Sequence, residues 1–108
     1  MEKQSLWEIL VPVTVNGRKV PRSHHRLWDQ EVRKGSRGLT LLSPAKGQWV
    51  TPSGNLQVER MIPVRLICTR SEMNRIAALT ARHYQQVAVM FYLLSRQVFI
   101  RHYRRTTL

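Results

Sequence analysis

The chain has 108 residues, 43% of them hydrophobic; it is too short for two independent cores and too apolar for a disordered chain, so one globular domain is expected. Its single cysteine, Cys68, excludes an intramolecular disulfide and a paired-cysteine metal site, and points to a reducing, cytoplasmic setting. Eighteen Lys and Arg against six Asp and Glu give a formal charge of +12, which favours an anionic ligand or partner over a merely solvated basic surface.

The opening segment MEKQSLWEIL lacks an apolar stretch followed by a small-residue cleavage site, so it does not read as a signal peptide. The longest apolar run, residues 87–94, is far short of the roughly 20 residues that span a bilayer, so no membrane association is expected. From Leu6 to Val15 the apolar residues Trp7, Ile9, Val11, Val13 and Val15 alternate, which predicts a half-buried strand. Pro12 cannot donate a ladder hydrogen bond and argues for an edge or a bulge, and Asn16-Gly17 closes the strand with a turn. Pro21-Arg22-Ser23 then opens a short helix, with Ser23 as its expected N-cap and Leu27, Trp28 and Val32 as its apolar stripe. This helix dissolves at Lys34-Gly35-Ser36-Arg37-Gly38, and a brief strand follows over Leu39 to Leu42.

Gln48-Trp49-Val50, the turn Thr51-Pro52-Ser53-Gly54-Asn55 and an extended run from Leu56 to Cys68 predict a hairpin. Along that run Leu56, Val58, Ile62, Val64, Leu66 and Cys68 share a face, Arg60 interrupts it, and Pro63 again argues for an edge or a bulge. The clearest helix is predicted over Arg70 to Val87: Thr69 and Glu72 fit a capping box, and Met73, Ile76, Ala77, Thr80, Tyr84 and Val87 recur at helical spacing. A strand over Ala88 to Leu94, a turn at Ser95-Arg96-Gln97 and a last strand over Val98 to Ile100 complete the elements. The expected architecture is therefore α+β and ferredoxin-like, β-α-β-β-α-β with an extra C-terminal strand and both helices on one sheet face. Residues 1–100 form the expected domain and 101–108 a loose basic tail. Both faces of the strand at 87–94 are apolar, so a second copy is expected to cover the free sheet face as a homodimer.

Trp28 and Glu31, Gly38-Leu39-Thr40, Gly47-Gln48-Trp49, Gly54 and Glu59-Arg60 form a spaced signature, followed by Pro63-Val64-Arg65, Cys68-Thr69, and Tyr84, Gln86 and Ala88-Val89. This pattern resembles small uncharacterised dimeric ferredoxin-like proteins of bacterial, phage and environmental origin. The resemblance implies the fold over roughly residues 5–100 and a dimer; it carries no catalytic residues.

The signature has a physical reading of its own. With the turn centred on Ser53-Gly54, Gln48 would lie opposite Glu59 and Trp49 opposite Val58, fixing hairpin register. The sharper reading makes Gln48, Trp49, Glu59, Arg60 and Arg65 a ligand-binding wall, the charges gripping a polar ligand and the indole stacking on it. Arginine outnumbers lysine fourteen to four, and its planar fork suits phosphate. Arg22, Arg26, Arg33, Arg37 and Arg101 are the further candidate anion contacts.

Phosphate-loop, dinucleotide and hydrolase-elbow motifs are absent from the sequence. His24 and His25 are adjacent on a helix and diverge by about 100°, which argues against joint metal ligation. Cys68 on an apolar strand face reads as core. Neither a metal site nor a cofactor is expected. The leading expectation is non-catalytic binding of a phosphate-bearing ligand, a nucleotide above all, in the manner of a phage sequestering protein. The alternatives are nucleic-acid binding through the basic residues and tail, and a small dimeric enzyme using Glu59 or a histidine as proton carrier.

Overall fold

The computed structural model describes residues 2–107. Strand β1 (Ser5–Pro12) leads into a small hairpin of β2 (Thr14–Val15) and β3 (Arg18–Lys19), then helix α1 (Arg22–Gly35). Strands β4 (Leu39–Leu41), β5 (Ala45–Val50) and β6 (Leu56–Cys68) follow, then helix α2 (Arg70–His83) and strand β7 (Phe91–Ser95). The main sheet runs β4-β6-β1-β7, all antiparallel, and β5 pairs with the remainder of β6 beyond β4. With both helices on one face this is the ferredoxin-like arrangement that the element order predicts. The core lies between sheet and helices, where Trp7, Ile9, Val11, Val64, Leu66 and Cys68 meet Trp28, Val32, Met73, Ile76 and Tyr84.

Several boundaries differ from the sequence reading. The first strand breaks at Val13, and β1 is central, paired on both sides. Pro12 is tolerated there because Leu10 N–H already bonds Met90 O just before β7, so the position that would need the next donor lies past the strand's end. Pro63 is likewise central: its missing donor faces the break between β4 and β5, and its carbonyl accepts from Leu42 N–H. Asn16 (φ 52°) and Gly17 (φ 75°) form the turn joining β2 to β3, both left-handed as a two-residue hairpin turn requires.

Helix α1 starts at Arg22 after Pro21, and Ser23 is inside the helix rather than its cap. Helix α2 has the expected capping box: Glu72 N–H donates to Thr69 Oγ1 at 3.1 Å and Thr69 N–H to Glu72 Oε1 at 2.9 Å. It ends earlier than its periodicity implies. Gln85 takes φ 53°, Gln86 N–H bonds Ala81 O, and Gln85 N–H bonds Arg82 O, a Schellman closure built without glycine. Val87 is therefore fully exposed instead of continuing the stripe. The expected strand over Val98 to Ile100 is not formed; beyond Ser95 the described chain carries no further strand.

Candidate functional site

Two regions gather polar chemistry, one on each side of the sheet. The first surrounds the amino end of α1. Pro21 offers no capping side chain and the first turn holds no acidic residue, so its free N–H groups and positive end are left uncompensated. Arg22 and Arg26 stand one turn apart and line a cavity of about 360 Å³. Its floor is apolar, formed by Val11, Trp28 and Val64, and its wall is Leu41, Leu42 and Pro44. A second cavity of about 430 Å³ shares Arg22, His25, Pro44 and Ile62 and extends to Lys19, so the two adjoin.

The histidines that the sequence left without a role sit between the helices. His25 Nδ1 pairs with Tyr84 Oη at 2.7 Å. His24 Nε2–H donates to His83 O and His83 Nε2–H to His24 O, each at 2.7 Å, with the two rings stacked 3.8 Å apart. Below them Trp28 Nε1–H donates to Thr80 Oγ1 at 2.9 Å, and that hydroxyl donates to Ile76 O. These bonds fix α1 against α2 and orient His25 toward the cavity. Partial burial holds His25 below its ordinary value, Asp29 partly opposing, and burial raises both Asp29 and the Tyr84 hydroxyl. His25 therefore favours its neutral form.

The second region is the helix-free sheet face. Strand register places Thr40, Arg65, Glu8 and Tyr92 in one row across β4, β6, β1 and β7. Arg65 Nε–H donates to Glu8 Oε1 at 3.2 Å, and Tyr92 Oη–H donates to Glu8 Oε2. Glu8 is buried although its face carries no helix, because these neighbours and the rows beside it cover it. Those rows are apolar: Leu6 and Ile67 on one side, Leu10 and Pro63 on the other. Sequence reasoning missed Glu8 and Tyr92, although a lone carboxylate within LWEILVPV is itself a signal.

The expected ligand wall is only partly brought together. The hairpin turn has three loop residues, Pro52-Ser53-Gly54, closed by Gly54 N–H to Thr51 O and Thr51 N–H to Asn55 O. That shifts the register by one residue from the expected pairing: Gln48 lies opposite Val58, Trp49 opposite Gln57, Gly47 opposite Glu59 and Lys46 opposite Arg60. Because side chains alternate, Trp49 and Glu59 share one face while Gln48 and Arg60 share the other. The Trp49 indole lies on Gly47, where a β-carbon would approach it to 3.0 Å. Glu59 and Arg65 point to the same side but are six residues apart on β6, about 20 Å, too far for one small ligand within a single chain.

Among the arginines, Arg22 and Arg26 meet at the cavity. Arg33 sits in the last turn of α1, where it complements the carbonyl end, while Arg37 follows that helix and Arg101 lies exposed in the tail. Cys68 is fully buried with its thiol pushed up to about 11 by burial and by Glu72, which removes it as a nucleophile. Among the described residues no three His, Cys, Asp or Glu side chains converge as metal ligands, and no helix is long and apolar enough to cross a membrane.

No family model and no curated protein sequence matches the chain. Solved structures do. CutA1 from Oryza sativa superposes with a TM-score of 0.67 at 8% identity, covering 92% of this chain and 85% of that one. The divalent cation tolerance protein of Thermus thermophilus gives 0.64 at 8% identity, covering 84% and 82%. A phage SAM lyase in complex with S-methyl-5'-thioadenosine gives 0.63 at 13% identity, covering 89% and 84%. At such identities the likeness shows the ferredoxin-like fold.

Proposed function

We propose that this protein binds a small phosphate-bearing ligand of the nucleotide class in the cavity at the amino end of α1. The observation that carries this reading is the pairing of an apolar cavity with Arg22, Arg26 and His25 on its rim, where they outnumber the single carboxylate of Asp29, at a helix end with no acidic first turn. The base would lie against Leu41, Leu42 and Pro44, and the phosphate would face the two guanidinium groups. That a SAM lyase of the same fold was solved with a nucleoside bound supports a nucleoside-sized guest on this architecture. A second copy of the chain over the helix-free face completes the reading, since it would remove the apolar rows flanking Glu8 from water.

Calorimetric titration with adenosine diphosphate and with inorganic pyrophosphate tests it. Arg22→Ala and Arg26→Ala should each weaken binding by about tenfold or more, the size of a lost charge-assisted hydrogen bond. The salt dependence should be shallow, because only a few phosphate charges are met. Binding that grows with oligonucleotide length and collapses steeply with salt would instead identify a nucleic-acid surface. No binding of mono-, di- or triphosphates would end the proposal.

A further inference from the structure

The β5–β6 hairpin continues past the body of the sheet. β1 ends opposite Met61, and Val13 N–H bonds Arg60 O just past it, so residues 56–59 have only β5 beside them. The arm and the exposed segment after Ser95 together lengthen the molecule: the chain spans 55 × 30 × 23 Å with a radius of gyration of 15.9 Å, against about 13 Å for a compact domain of this length. Its accessible surface is 8491 Å², whereas a compact monomer of 12.7 kDa exposes about 6,200 Å². The excess, about 2,200 Å², is shared between the arm and the exposed segment after Ser95 and exceeds the roughly 800 Å² per partner that a stable interface removes.

The composition of the arm fits contact better than solvation. Val50, Leu56 and Val58 are 73%, 61% and 54% exposed, and cross-strand pairing puts them on one face. A two-stranded ribbon with such side chains in water is marginal alone. Its charges are also unmet among the described residues. Lys46 lies directly opposite Arg60, a like-charge pair that destabilises a ladder, and Gln48 is the remaining polar residue on that face. The one acid of the arm, Glu59, is on the opposite face with Trp49. The ion pairs among the described residues are Lys34–Glu31 and Arg65–Glu8, so none involves the arm.

We infer that the arm is the grip through which copies of this chain assemble, the Glu59 face of one arm seated against the Lys46–Arg60 face of the next. This rests on the second-copy reading above and deepens it. Two positive charges on one face and one negative charge on the other are complementary front to back, which makes the contact heterologous. The occupant is therefore a second copy of this chain. Seating it buries Val50, Leu56 and Val58 and supplies the carboxylate that the Lys46–Arg60 pair lacks.

Sedimentation velocity and light scattering on the full chain test the inference, with far-UV circular dichroism confirming that each variant is folded. The native chain should be oligomeric at low micromolar concentration. Glu59→Lys alone, and Lys46→Glu with Arg60→Glu, should each weaken association by about tenfold. The triple variant combining all three should recover most of the loss, because the swapped charges again match across the contact. Val58→Asp should dissociate the assembly. A triple variant no better than its parents overturns the inference. So does an assembly indifferent to every arm substitution yet dissolved by Leu94→Asp on the sheet, which leaves the second-copy reading standing. A chain that is monomeric at high micromolar concentration overturns both.

Discussion

The two faces of the sheet are built from the same strands and solve opposite problems. On the helix side Trp7, Ile9, Val11, Val64 and Leu66 are sealed under α1 and α2, and the buried polar groups Trp28 Nε1 and Thr80 Oγ1 are bonded to one another and to the backbone. On the other side the strands present apolar rows with no layer above them, and a carboxylate, a guanidinium and a phenol satisfy each other in the middle. The first face is complete within one chain. The second is electrically settled, and no further layer covers it among the described residues. Glu8, Arg65 and Tyr92 satisfy one another within the chain.

That contrast can be broken from either side. The largest effect should come from Trp28→Ala, which empties the centre of the sealed face and removes a buried bond; about 3–5 kcal/mol of stability should be lost in denaturant titration. A loss under about 1 kcal/mol would mean the helix layer carries little of the fold. Glu8→Ala should cost less, about 1–3 kcal/mol, since it orphans Arg65 and Tyr92 at a face that water still reaches. Glu8→Gln, which keeps an acceptor for the Tyr92 hydroxyl, should recover part of that loss, and equal effects would show that only the charge matters.

Smaller still is the pH dependence contributed by His25. Its folded value lies below the ordinary 6.5, so the unfolded chain binds more protons and stability falls as pH drops through 6.5 toward the lowered value. Asp29 is raised above 3.8, so its contribution has the opposite sign and is lost as pH climbs from 3.8 to its raised value. His25→Gln should flatten the limb near 6.5 in melts followed against pH. With sulfate as the probe, whose charge is constant over this range, binding should tighten on acidification, and the same substitution should abolish that trend. The smallest effect is expected at Val87→Asp: the side chain is fully exposed, so stability should move by less than about 0.5 kcal/mol. A large change there would place Val87 in a contact between copies.

Much of the candidate site was not readable residue by residue. Arg22 and Arg26 could be singled out as cations on a helix, but nothing local says that Leu41, Leu42 and Pro44 form the opposite wall of the same cavity. The ligand wall expected around Glu59 failed on one residue of register. A three-residue loop rather than a two-residue turn moved Gln48 and Arg60 to the face opposite Trp49 and Glu59. The end of α2 was misplaced because its left-handed closing residue is Gln85, and the usual glycine signal was missing.

What the sequence determined by itself was whatever short-range chemistry specifies. The alternation of Trp7, Ile9 and Val11 made a strand, Asn16-Gly17 a tight turn and Thr69 with Glu72 a capped helix, and their order was enough for the ferredoxin-like fold. What only the tertiary structure decided was which distant groups meet. Glu8 finds Arg65 57 residues away and Tyr92 84 residues away because antiparallel register aligns three strands. Period and propensity report a residue's own strand or helix, whereas a site is made between elements, by register and packing that depend on the whole chain at once.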